Sequence, residues 1–194
     1  MMMQAVDRPH IKSQFQDKDI QIQTKEIELP LEAILPYWNP EEFNAHCQTG
    51  CENFSKKWTC PPHCPTFMEY AADHTHIKLI LYKTDCDQFS FIESNERALT
   101  AYNFAKDLLQ KNLRNAEAET ERFIGPNSCE ICTICKAAQA DACHLPHLIR
   151  YNLVAFGFNV TQIMEDLFQH KLEWAKAEQV PNHVSSVGAI LFKK

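Results

Sequence analysis

The sequence predicts an α+β fold, a small mixed sheet with helices packed on it and two cysteine-rich loops at one end. Three observations predict it. Segments of strand length and strand composition near residues 19–29, 77–83 and 187–192 are interleaved with a long stretch of helical periodicity over 94–113. Eight of the nine cysteines fall into two groups, Cys47, Cys51, Cys60 and Cys64, and Cys129, Cys132, Cys135 and Cys143. Prolines crowd the first group, and Gly125-Pro126-Asn127 immediately precedes the second, so both belong to loops rather than to the interior of regular elements.

Each element has its own local cause. Asp19–Leu29 alternates apolar and polar residues through Ile20 and Ile22, then resumes with Ile27 and Leu29, as a half-buried strand with one irregularity would. Asn39 can cap a helix that has Pro40 at its first position and two acids in its first turn, and this helix would deliver Cys47. The run CPPHCP, with three prolines in six residues, forms a stiff loop that holds ligands at fixed separations. Ile77–Lys83 is continuously apolar at strand length and reads as a central strand, with a turn over Asp85–Asp87 and an edge strand over Gln88–Ile92. Ser94 caps the long helix, whose Ala98, Leu99, Tyr102, Ala105, Leu108, Leu109 and Leu113 form a sheet-facing stripe. A helix beginning at the second cysteine group would aim its free N–H groups at the sulfurs. His147–Phe158 forms a short helix, and Thr161 caps another through Ile163, Met164, Leu167 and Phe168. A hairpin turning at Pro181-Asn182 pairs Leu172–Lys176 with a last strand from Val187.

Composition bounds the class. A chain of 194 residues, 45% hydrophobic and 23% charged, has enough material for one core. Residues 1–17 mix charge, Gln and Pro without periodicity and read as a mobile tail; residues 18–194 read as a single metal-binding α+β domain. No apolar run approaches the roughly 18 residues of a membrane span, and the chain is expected in the cytoplasm with no membrane partner. A net charge of −6 opposes a nucleic-acid binder, which needs clustered Lys and Arg.

The cysteines carry the chemistry. In a reducing cytoplasm they stay thiols, and their odd number further weakens a disulfide framework. The second group, C-x2-C-x2-C-x7-C, opens with the spacing by which one loop wraps three corners of an iron–sulfur cube, and its fourth cysteine closes the set or crosses to a neighbouring cluster. The first group, C-x3-C-x8-C-x3-C, has the paired look of a zinc site, and zinc and iron–sulfur both stay open there. Lys56, Lys57, Lys136 and Arg150 flank the groups, where a cation would favour thiolate, although each also reads as an ordinary surface side chain. His46, His63 and His144 adjoin cysteines as candidate ligands or hydrogen-bond donors to sulfur. Trp58 is a water shield or a plain core anchor, Cys86 a bystander, and His74 with His76 a weak zinc pair. There is no phosphate-binding glycine loop, nucleophile elbow or HExxH helix, so any chemistry falls to the metal.

Two composite motifs resemble a known family. Cys47, Cys51, Trp58, Cys60, Pro61 and Pro62 in the first half, and Cys129, Cys132, Cys135, Cys143, Pro146, Gly157 and Val160 in the second, are similar to the predicted metal-binding proteins of domain of unknown function 2284. The likeness runs from the first strand to the last. It implies a cysteine-ligated metal centre of iron–sulfur type and no particular reaction. This chain departs from the family pattern in having Asn53-Phe54-Ser55 before Trp58, His144 after the last cysteine, and Cys64, for which family members often have no counterpart. The expectation is therefore one or two cysteine-ligated 4Fe-4S clusters, with Cys129, Cys132, Cys135 and Cys143 at one and Cys47, Cys51, Cys60 and Cys64 at the other. They would pass electrons to a protein partner, and folding would be coupled to their loading. The alternatives are a structural zinc protein serving as an interaction module and a small redox enzyme whose incompletely ligated cluster binds substrate.

Overall fold

Ile77, Leu79 and Leu81 point to one side of a strand and Ile80 and Tyr82 to the other, and all five meet apolar partners. This two-sided covering explains the continuous apolar run. In the computed structural model, which describes residues 4–174 and 179–194, the strand is β3, His76–Asp85. It lies at the centre of a five-stranded sheet in which β1 is Val6–Phe15, β2 Lys18–Pro30, β4 Arg122–Ile124 and β5 His183–Phe192, in the order β1-β2-β3-β5-β4. The class is α+β; every ladder is antiparallel, where the sequence predicts a mixed sheet.

Each face of the sheet has its own core. One is covered by α3, Ser94–Ala116, whose Ala101, Ala105, Leu109 and Leu113 pack with Ile20, Ile22, Phe89, Phe123 and Ile190. The other is covered by α2, Phe67–Ala71, by α4, Val160–Phe168, and by Leu153, Phe156 and Phe158 of the segment before α4. Each large apolar side chain fully buried there contributes about 1.5–3 kcal/mol. The irregularity in β2 follows from this arrangement. Ile20 and Ile22 face the α3 core while Ile27 and Leu29 face the other, and the ladder with β3 runs unbroken from Gln23 to Pro30. The slip in the pattern marks a change of covered face, not a bulge.

Several expectations are corrected. Most of the segment expected as a mobile tail is β1, joined to β2 through Gln16 and Asp17, both left-handed as a two-residue hairpin turn of the primed type requires. β1 is an edge strand, so it tolerates Pro9, where its register with β2 shifts. Gln88–Ile92 forms no strand: Cys86–Phe89 is a 3-10 turn that plants Phe89 among Phe15, Phe91 and Phe104. Glu93 rather than Ser94 occupies the cap of α3, and Asn159 rather than Thr161 caps α4 by accepting from Gln162 N–H (3.0 Å). His147–Phe158 is irregular apart from a 3-10 turn over Pro146–Leu148. Leu172–Trp174 lie in no strand, and the rest of the expected hairpin arm, residues 175 and 176, lies outside the described residues; β5 pairs with β3 and β4. Among the described residues no helix is long and apolar enough to cross a membrane.

Candidate metal centre

The first cysteine group hangs from a well-specified helix. Asn39 Oδ1 accepts from Glu42 N–H (3.3 Å), Pro40 fills the first position, and the resulting α1, Pro40–Gly50, carries Cys47 in its last turn. Cys51 N–H donates to Cys47 O (3.1 Å) as the helix ends. A series of tight turns follows, with Cys60 N–H on Lys57 O (3.0 Å) and Cys64 N–H on Cys60 O (3.2 Å), and Ser55 at a φ of 58° donating its N–H to Pro61 O (2.9 Å). Cys47, Cys51 and Cys60 together line a cavity of about 240 Å³, walled by Phe54, Pro61 and Ala155. Cys64 stands apart from it, its thiol donating to Ala155 O (3.2 Å). Burial pushes the thiols of Cys60 and Cys64 up to about 11 and raises Cys47, with neighbouring cysteines adding to each rise. Thiols held neutral in this way give up protons when they take a cation.

The second group lies on an irregular loop. Cys132 is exposed and Cys129, Cys135 and Cys143 are half-buried. The helix expected to point at the sulfurs is a single 3-10 turn, Lys136–Gln139, with Cys135 at its cap and left-handed Ala140 at its end. Leu145 N–H donates to Cys143 Sγ at 3.4 Å. Cys129 is raised chiefly by burial, and the charges of Cys135, Cys132 and Cys143 act in the same direction, so the four thiols are electrostatic neighbours.

Hydrogen bonds stitch the two loops together. Cys129 N–H donates to Oγ1 of the wholly buried Thr59 (3.0 Å), Lys57 Nζ donates to Ser128 Oγ (2.9 Å), and Trp58 Nε1 donates to Asp141 O (3.1 Å). Tyr151 is raised first by burial and then by Cys64 and Cys143, one from each group. Trp58 is half-buried, with His63 4.7 Å from its ring, and His63 Nε2 also meets Ser55 O (3.1 Å). His46 sits against Phe43. Cys86 is buried in the α3 core, apart from both groups. Of the flanking cations, Lys136 approaches Asp141 (3.7 Å) and Arg150 pairs with Glu117 through two contacts of 2.6 Å.

The family of proteins described as "Predicted metal-binding protein (DUF2284)" matches residues 39–192. The chain belongs to this family. The match begins at the cap of α1, so β1 and β2 lie outside it. No curated protein and no solved structure matches the chain. In this DUF2284 protein the matched region holds all eight clustered cysteines. Among the described residues, no three His, Cys, Asp or Glu side chains form a group that could hold a metal ion as placed. The donor set nonetheless fits a soft metal. Three thiols share one cavity with no carboxylate on its wall, and thiolates select zinc, copper(I) or iron–sulfur centres over the hard cations. Sequence reading missed Thr59, Ser128 and Asp141, because what they do depends on contacts between segments 70 or more residues apart, such as Thr59 with Cys129.

Proposed function

We propose that the DUF2284 protein is an iron–sulfur protein that passes electrons to a protein partner, with Cys47, Cys51 and Cys60 holding one cluster and Cys129, Cys132, Cys135 and Cys143 a second. The observation that carries the reading is the cavity of about 240 Å³ lined by Cys47, Cys51 and Cys60. Its volume is several times a water's share of about 30 Å³, room that suits a polyatomic cluster better than a bare zinc ion. The C-x2-C-x2-C run of the second group supports the same chemistry. A cysteine-ligated iron–sulfur cluster supplies one-electron transfer at a potential set by its surroundings.

The chain's own groups would set those surroundings. Phe54, Pro61 and Ala155 give the first cavity apolar walls, Leu145 N–H donates to sulfur, and the Lys57 ammonium offsets thiolate charge from its bond to Ser128. Thr59, through its bond from Cys129 N–H, holds the two loops side by side, as exchange between two centres requires.

One observation favours a second reading. Cys64 lies off the cavity with its thiol engaged on Ala155 O, which supports three protein ligands at the first centre and an open position where a substrate could bind. Iron, zinc and acid-labile sulfide content with an absorption spectrum, on protein purified without oxygen, tests the first proposal. Brown protein with iron matched by sulfide is expected, and colourless protein with stoichiometric zinc and no sulfide would overturn it. Cys64→Ala tests the second: an intact cluster is expected, and its loss would return Cys64 to the ligand set.

A further inference from the structure

Among the described residues, Lys106 of α3 is the one charged side chain that is buried, at 6% exposed. A lysine is almost never found inside a protein unless it is paired. Its ammonium lies 2.9 Å from Glu130 Oε2 and 3.3 Å from Asp107 Oδ1. Asp107 is its neighbour on the helix, whereas Glu130 comes from the second cysteine loop, where it stands one residue after Cys129 and two before Cys132. Burial lowers the Lys106 ammonium, and Glu130 and Asp107 raise it by more, so it stays charged.

The same stretch of loop is gripped from other directions. Asn127 Nδ2 donates to Glu130 Oε1 (2.9 Å), and Asn127 Oδ1 accepts from Ser128 N–H (2.8 Å). Ser128 Oγ accepts from Lys57 Nζ, and Cys129 N–H donates to Thr59 Oγ1. Residues 127–130 are therefore fixed by the first cysteine loop on one hand and by α3, through Lys106, on the other. Packing of α3 alone would be served as well by an apolar side chain, because a buried ion pair adds little net stability over one. A cation supplies two further things, a grip on Glu130 and a charge that offsets two carboxylates beside the thiols.

We infer that Lys106 is a positioning residue for the second cysteine group: through Glu130 it holds the Cys129–Cys132 stretch against α3, and its charge shields the centre held by those cysteines from the carboxylates of Glu130 and Asp107. The electrostatic role rests on the iron–sulfur reading given above, and the positioning role is independent of it.

Lys106→Met keeps the length of the side chain and removes its charge, while Glu130 (48% exposed) and Asp107 (67%) remain in water, so the fold is expected to persist. Glu130→Gln breaks the same contact from its exposed end and serves if Lys106→Met does not fold. Two measurements on the full chain, purified without oxygen, test both roles, with iron, zinc and sulfide assayed on every sample. Amide hydrogen exchange over residues 127–132 should be about tenfold faster in both variants, in metal-loaded and in chelator-treated protein, and unchanged in Lys106→Arg. The reduction potential of the second centre, followed by electron paramagnetic resonance, should fall in Lys106→Met, which leaves two carboxylates uncompensated, and rise in Glu130→Gln, which removes one. A loop that was merely loosened would shift in the same direction in both. Unchanged exchange, or potential shifts of one sign in the two variants, would overturn the inference. Parent protein without iron and sulfide would sink the electron-transfer reading instead, and exchange by itself would then uphold or overturn the positioning role.

Discussion

Gly157 illustrates how much one residue decides. Its φ is +92°, and an added Cβ would collide with the backbone of Pro40, the first residue of the helix that carries Cys47. The same close approach lets Gly157 O accept from Asn39 N–H (2.8 Å), the capping residue itself. Gly157→Ala is therefore expected to cost at least about 2 kcal/mol, from the unfavourable dihedral and the displaced helix together. Urea denaturation measures this, and metal content should fall with it because Cys47 moves with α1. His170 supplies a pH-dependent prediction at the same scale. Burial, with His183, Lys83 and Lys25 nearby, pushes it down to about 4 from the ordinary 6.5, and Ser185 Oγ lies 2.7 Å from its Nε2. The unfolded chain takes up this proton near 6.5 and the folded chain only near 4. Between those values the unfolded state binds more protons, so stability falls as pH is lowered through the window and the contribution levels off beneath it. Thermal denaturation as a function of pH should show a shallower fall between 6.5 and 4 in His170→Gln than in the parent.

Between elements, polar contacts position the cysteine loops against the sheet. Glu117, at the end of α3, accepts from Arg150 at two points and from Phe123 N–H of β4 (3.0 Å), and Arg150 also lies over the Phe123 ring at 5.5 Å. The pair is nearly buried, with side chains 15% and 10% exposed, so removing one partner leaves an uncompensated charge. Arg150→Ala is expected to destabilise by about 3–5 kcal/mol in denaturant unfolding, whereas exposed pairs such as Lys194 with Glu28 contribute at most about 1 kcal/mol. Thr59 acts in the same way between the two loops. Thr59→Val keeps the shape and removes the acceptor for Cys129 N–H, at an expected cost of about 1–3 kcal/mol, and Thr59→Ser should restore it. Persistence of full stability and metal content in Thr59→Val would show that the two loops are not held by this bond.

For the whole molecule, the two apolar cores are built without the clustered cysteines. Among the described residues, none of the eight clustered cysteines belongs to either core, and Cys86 is the cysteine found there. Removal of metal is therefore expected to loosen residues 47–64 and 129–143 while the sheet persists, unlike a zinc finger, which unfolds entirely without metal. Hydrogen exchange on chelator-treated protein should show lost protection in those segments and retained protection in β2, β3 and β5. Collapse of protection throughout would instead bear out the tighter coupling of fold to cofactor expected from the cysteine spacing.

The features legible in the sequence are those with a local cause. The alternation in β2, the apolar run of β3, the stripe of α3 and the Asn39-Pro40 start of α1 follow from periodicity and capping, which act within a few residues. The Thr66–Glu69 capping box that opens α2 was equally local and went unread. The cysteine spacings are local too, and they determined the family and the soft-donor chemistry. Tertiary structure decided the rest. β1 has little strand character of its own and is drawn out by the ladder of β2; β4 is three residues held by β5. Cys64 turns its thiol to Ala155 O and stays off the cavity lined by Cys47, Cys51 and Cys60, Thr59 meets Cys129, and Leu99 opens onto a cavity instead of a core, because chain-distant segments meet there. A pattern along the chain records which face of a segment is buried, while the partner that buries it, or leaves it open, is fixed only when the segments assemble.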